Sequence, residues 1–172
     1  MIHLYCGDGK GKTTAAMGLA LRMAGRKQNV LIVQFLKGSD SGERTALEEL
    51  EHVTLLPLPD KLKFVWEMTQ AEKEAEAARC ACLLRKACEL LSDRHFGLLV
   101  LDEACGAMGQ HLLPLNEVLD CLALCRSLNT EAVLTGRDPA PELAEVCDYV
   151  TEMRKVKHPF DRGASARRGV EY

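Results

Sequence analysis

Apolar positions along this chain fall into short unbroken runs, and the runs alternate with longer stretches of helical period. Ile2 to Tyr5, Val30 to Phe35, Val53 to Leu56, Phe96 to Leu101, Glu131 to Thr135 and Tyr149 to Arg154 read as strands. Runs such as Val30-Leu31-Ile32-Val33 have no polar alternation, which suits strands covered on both faces. Between them, Ala15 to Ala24, Glu43 to Glu51, Thr69 to about Ser92, Leu115 to Arg126 and Pro141 to Cys147 read as helices. Thr69 and Glu72 form a capping box at the start of the longest helix, and Pro141 sits in a first turn. Regular strand-helix alternation predicts an α/β domain over 1–172, with a mainly parallel six-stranded sheet and helices on both faces. Ligands of such sheets bind beyond the carboxyl ends of the strands.

One turn in this pattern carries chemistry. Cys6-Gly7-Asp8-Gly9-Lys10-Gly11-Lys12-Thr13-Thr14 joins the first strand to the first helix. A glycine-rich turn at a helix N-terminus aims backbone N–H groups and the positive helix end at one point, where a phosphate is stabilised. Gly7, Asp8, Gly9, Lys10, Gly11, Lys12, Thr13 and Thr14 are the candidate nucleotide-binding residues. Lys12 would reach the terminal phosphates and Thr13 would bind Mg²⁺ or Mn²⁺. Cys6 stands where the usual pattern has its first glycine. Asp102 and Glu103 follow a four-residue apolar run, the arrangement that completes a metal site beside a phosphate loop. Thr135-Gly136-Arg137 ends the next strand and adds a guanidinium suited to a triphosphate. This constellation places the fold with the three-layer P-loop NTPase-like (RecA-like) proteins.

Composition narrows the partners. A net charge of −3 argues against nucleic-acid binding through bulk positive charge. No apolar run approaches membrane-spanning length, and the first strand begins at once, so a cytoplasmic protein is expected. The eight cysteines include no Cys-x-x-Cys pair and mostly fall in apolar helical stretches, where a thiol packs as a small hydrophobe.

The chain also resembles the phosphate-loop ATP:corrinoid adenosyltransferases over nearly its full length. The resemblance rests on Gly7 to Thr14, Val33-Gln34-Phe35-Leu36-Lys37-Gly38, Gly42-Glu43-Arg44, Phe64-Val65-Trp66-Glu67, Val100 to Glu103, Leu112-Leu113-Pro114-Leu115 and Thr135-Gly136-Arg137. The tail adds Val156 to Gly163 and Gly169-Val170-Glu171-Tyr172. The resemblance implies transfer of the 5′-deoxyadenosyl group of ATP to the cobalt(I) of a reduced corrinoid such as cobalamin, with release of triphosphate. It implies that Lys12 and Arg137 offset charge on the leaving group, and that Phe64 and Trp66 bind the corrinoid and displace the lower axial ligand of cobalt(II). It further implies a reduced flavin or flavodoxin-type electron donor, a homodimer, and residues 155–172 as an irregular tail over the nucleotide site or the dimer interface. The resemblance also implies an added N-terminal segment in relatives that helps cover the active site; here either the corrin site is more open or the tail and the Pro57 to Lys63 loop do more of the covering.

Two other readings fit the loop alone. A phosphoryl-transfer enzyme would release ADP and could use Gln34 to orient water, and an ATP-regulated binding module would use the basic tail.

Overall fold

The computed structural model describes residues 1–39, 41–163 and 165–170, and for Phe160 the backbone alone. Asp40 of the expected polar loop and Glu171 and Tyr172 of the expected tail motif lie outside the described residues. Six strands form one sheet: β1 (Ile2–Cys6), β2 (Val30–Gln34), β3 (Val53–Leu55), β4 (Leu98–Asp102), β5 (Glu131–Thr135) and β6 (Tyr149–Glu152). Their spatial order is β3-β2-β4-β5-β1-β6, and every pairing is parallel. The helices are α1 (Lys12–Ala24), α2 (Gly42–Glu48), α3 (Gln70–Asp93), α4 (Ala104–Gly109), α5 (Leu115–Ser127) and α6 (Pro141–Glu145).

The strand sequences explain the layers. In β2, Val30 and Ile32 pack with Ala16, Met17 and Ala20 of α1 on one face, while Leu31 and Val33 pack with Leu84 of α3 and Leu122 of α5 on the other. β4 divides in the same way, Leu98 and Val100 against Leu99 and Leu101. Both strands are wholly buried, as unbroken apolar runs require. Cys80, Cys105, Cys121 and Cys125 pack in the larger core as small hydrophobes. The result is the expected three-layer α/β fold of the P-loop NTPase-like class.

Differences from the sequence reading are local. The sheet is entirely parallel, α1 begins at Lys12, β6 stops at Glu152, and α3 runs to Asp93. The capping box at Thr69 is present, with both reciprocal hydrogen bonds formed. Two elements lacked a sequence signal: α4, a helix of only six residues with two glycines, and a 3₁₀ turn at Pro159–Arg162. Phe64 precedes another 3₁₀ turn, Val65–Glu67, in the segment that showed no period.

Candidate active site

The phosphate loop is held open by glycine and braced by the far end of the chain. Gly7 and Gly11 have φ of 103° and 110°, a left-handed region that side chains disfavour. A Cβ on Gly7 or Gly9 would come within 2.5 or 2.6 Å of the Met153 carbonyl oxygen. Gly9 N–H donates to that same oxygen at 2.6 Å, and the Lys155 N–H donates to Asp8 Oδ1 at 2.8 Å. The Lys155 amide holds the Asp8 carboxyl below its ordinary range. Chain leaving β6 therefore forms the back wall of the loop. Gly11 caps α1 without a side chain, so the first N–H groups of a thirteen-residue helix face the loop. Lys12 is buried, donates to Gly9 O at 2.7 Å, and is pushed below the usual lysine value by that burial.

Asp102, at the end of β4, is fully buried and receives four side-chain donors from the described residues. Thr13 Oγ1 donates to Oδ1 at 2.9 Å and Thr135 Oγ1 at 2.7 Å. Lys37 Nζ donates to Oδ2 at 2.7 Å and Gln34 Nε2 at 3.2 Å. A buried carboxylate requires such pairing, because desolvation of the charge costs several kcal/mol otherwise, about 3–5 when one partner is missing. Gln34 Nε2 also lies 3.2 Å from Glu43 Oε1, and Gln34 Oε1 accepts from Arg44 Nη1 at 3.1 Å. Both ends of that amide are engaged, which leaves Gln34 poorly placed to orient an attacking water. Glu103 has φ of 58°, and its N–H donates to Thr135 Oγ1 at 2.9 Å. A left-handed glutamate next to a buried aspartate is strain of the kind concentrated at functional sites. Burial, then the Asp102 charge, raises the Glu103 pKa.

Thr13 is hydrogen-bonded to Asp102, and Thr13 and Glu103 line the same cleft, so the three sequence-assigned residues present the oxygen donors that a hard cation takes. Among the described residues no three His, Cys, Asp or Glu side chains converge on one point. The donor set fits a cation that draws its remaining ligands from phosphate and water. Arg137 is exposed at the loop edge, near enough to Asp8, Lys12 and Glu103 to shift their titration. The preceding Gly136 has φ of 146°, and a Cβ there would lie 2.5 Å from Cys105 Cβ of α4.

Phe64 and Trp66 lie on the other side of a cleft of about 1000 Å³, whose walls include Lys10, Thr13, Thr14, Lys37 and Glu103. The two rings stack with centroids 4.5 Å apart and planes 6° from parallel. They are 62% and 77% exposed, which removes a role as core aromatics. Val65 between them is buried and pins the segment to the core. Gly169 and Val170 of the tail also line this cleft. The sequence gives no site role to Lys37, Glu43 or Thr135, although each lies in a block that carries the family resemblance; Lys37 and Thr135 reach Asp102 directly and Glu43 only through Lys37 and Gln34, which are tertiary facts.

The family model for ATP:corrinoid adenosyltransferase BtuR/CobO/CobP matches residues 1–172. Corrinoid adenosyltransferase CobA of Salmonella typhimurium is 37% identical over 175 residues, covering 100% of this chain and 85% of that protein. The corrinoid adenosyltransferase of Escherichia coli is 36% identical with the same coverage, and that of Pseudomonas aeruginosa 36% identical over 174 residues, covering 83% of its length. With Thr13, Thr14, Glu103 and the aromatic pair lining one cleft and Asp102 buried beneath Thr13, and with a family model matched over its whole length, the chain belongs to the ATP:corrinoid adenosyltransferase family.

Proposed function

We propose that this chain transfers the 5′-deoxyadenosyl group of ATP to the cobalt(I) of a reduced corrinoid and releases triphosphate. The observation that carries the reading is the single cleft shared by the phosphate loop and the Phe64–Trp66 stack. ATP held with its phosphates on Gly7 to Thr14 would turn its ribose toward the aromatic side, where a flat macrocycle can lie. The cobalt(I) electron pair forms the Co–C5′ bond while the C5′–O bond breaks, and that bonding pair leaves with triphosphate. Cobalt ends formally as cobalt(III). No general base is needed, since no proton moves in this step.

What the protein supplies is position and charge compensation. Lys12 and the amides of the loop and α1 stabilise the phosphates, and Arg137 closes on them from the loop edge. Thr13, Asp102 and Glu103 would hold a magnesium ion, which when bound offsets the charge of the triphosphate leaving group. Phe64 and Trp66 would present an apolar face to cobalt(II) and displace its lower axial ligand, easing reduction by a reduced flavin or flavodoxin. The tail, through Gly169 and Val170, would cover the nucleotide. A homodimer in the cytoplasm is part of the same reading. Among the described residues no helix is long and apolar enough to cross a membrane.

The test is anaerobic incubation of protein, MgATP and chemically reduced cob(I)alamin. Loss of the cobalt(I) absorbance together with adenosylcobalamin and triphosphate is the expected result. An unchanged spectrum with ADP as product would replace this reading with phosphoryl transfer.

A further inference from the structure

We propose that Lys37 is a built-in counter-cation of the metal site: its ammonium group occupies the oxygens a divalent ion needs, yields them when that ion binds, and passes to the nucleotide phosphates. The inference rests on the reading that a divalent ion binds at Thr13 and Asp102. Lys37 Nζ lies 2.7 Å from Asp102 Oδ2, 3.1 Å from Glu43 Oε1 and 3.5 Å from Thr13 Oγ1, so it stands among the oxygens on which the metal would draw. The side chain comes from the loop after β2, where Leu36 takes φ of 53°, a left-handed kink that turns Lys37 back over the end of β4.

Charge balance at Asp102 decides how metal and lysine share the site. Asp102 is wholly buried, and Lys37 is the cationic member of its four donors; Thr13, Thr135 and Gln34 are neutral. A divalent ion ligated by Asp102 and Thr13 would stand within a few ångströms of the ammonium, and two cations repel strongly in a site shielded from water. Thr13 gives its hydroxyl proton to Asp102 and faces Lys37 Nζ with its oxygen, so a metal on that oxygen would take the place of the ammonium. Lys37 is partly exposed, and its open side is the cleft it shares with Lys10, Thr13 and Thr14. A flexible four-carbon stem allows the ammonium to swing there and meet phosphate oxygens. One cation thus replaces another on Asp102, and the displaced one serves the nucleotide. Metal alone should bind weakly and metal with ATP well, which couples the two ligands.

The experiment uses Mn²⁺ as probe, with free ion followed by electron paramagnetic resonance, on the full-length protein with and without ATP and in the absence of corrinoid. Lys37→Met should bind Mn²⁺ alone about tenfold tighter than the unmodified protein and bind ATP in the presence of Mn²⁺ several-fold more weakly, a coupling of ordinary allosteric size. A residue with a merely structural role would shift both affinities in one direction. Lys37→Arg keeps the charge and should leave Mn²⁺ binding within about threefold of the original. Equal Mn²⁺ affinity in Lys37→Met and the unmodified protein overturns the proposal. So does a Lys37→Met chain that stays unfolded in millimolar Mn²⁺, because the metal would then not replace the ammonium. If the unmodified protein with ATP binds no Mn²⁺, or if Asp102→Asn binds it equally well, the metal site itself is wrong, and the proposal falls with it.

Discussion

The two walls of the cleft are built in opposite ways. On the phosphate side, Asp102 is buried under four donors, Gln34 is engaged at both ends, and the loop is strapped to Met153 and Lys155. On the aromatic side, Phe64 and Trp66 stack on each other, expose most of their surface, and stand on a single 3₁₀ turn. The phosphates of ATP are small, anionic and always alike, so donors fixed in advance cost little reorganisation when the ligand arrives. A stacked aromatic pair left exposed gains from burial only when the flat face of a ligand covers it. One wall is thus a network of satisfied donors, the other an exposed aromatic pair on a single turn.

The comparison breaks first at Lys12. Lys12→Ala removes the buried cation of the phosphate loop and should lower kcat/KM by about a thousandfold, some 4 kcal/mol of transition-state stabilisation. Adenosylcobalamin formation from cob(I)alamin measures this, and an unchanged rate would overturn the phosphate-loop assignment. Asp102→Asn should strike the fold as well as the site. It leaves Lys37 without its buried anion and should cost about 3 kcal/mol in urea unfolding. Loss of activity with unaltered stability would show that the four-donor network is not a structural keystone.

Trp66→Ala tests the other wall and should behave differently. Stability should change by less than about 0.5 kcal/mol, because so exposed a ring packs against little else. Turnover starting from cob(II)alamin should fall about thirtyfold, some 2 kcal/mol, while turnover from pre-reduced cob(I)alamin falls far less. Equal losses in the two assays would remove the axial-ligand role.

The smallest effect belongs to Glu72, which ties the aromatic segment to α3 by pairing with Lys63 and capping Thr69. Its hydrogen bonds from Lys63 and then from the Thr69 N–H hold its pKa down to about 2. A depressed carboxyl stabilises the fold fully above its unfolded value, about 4.3, and loses that contribution as pH falls toward 2. Glu72→Gln should therefore flatten the acid limb of a thermal-melting profile between about pH 4 and 2. It should raise the KM for corrinoid no more than about twofold. No change in the acid limb would mean that the exposed pair contributes nothing.

Much of this was legible from residue order alone, for identifiable reasons. Unbroken runs such as Leu98-Leu99-Val100-Leu101 are specific to buried parallel strands, and Gly11-Lys12-Thr13 needs only local geometry to bind phosphate. α4 escaped because Gly106 and Gly109 spoil its propensity; it persists by packing against Gly136, a tertiary contact. Lys37 escaped because its position depends on a left-handed Leu36 that no periodicity reveals. Phe64 and Trp66 could be named, but their exposure, which separates a docking platform from a core, is decided by how Val65 is anchored.

The strap across the phosphate loop has a consequence for biosynthesis. The loop is made within the first fourteen residues, yet the oxygen that braces it belongs to Met153 and the amide that caps Asp8 to Lys155. Parallel pairing of β1 with β5 and β6 likewise waits for the last third of the chain. A growing polypeptide on the ribosome therefore carries the glycine-rich loop without the wall that shapes it until Met153 and Lys155 have been added.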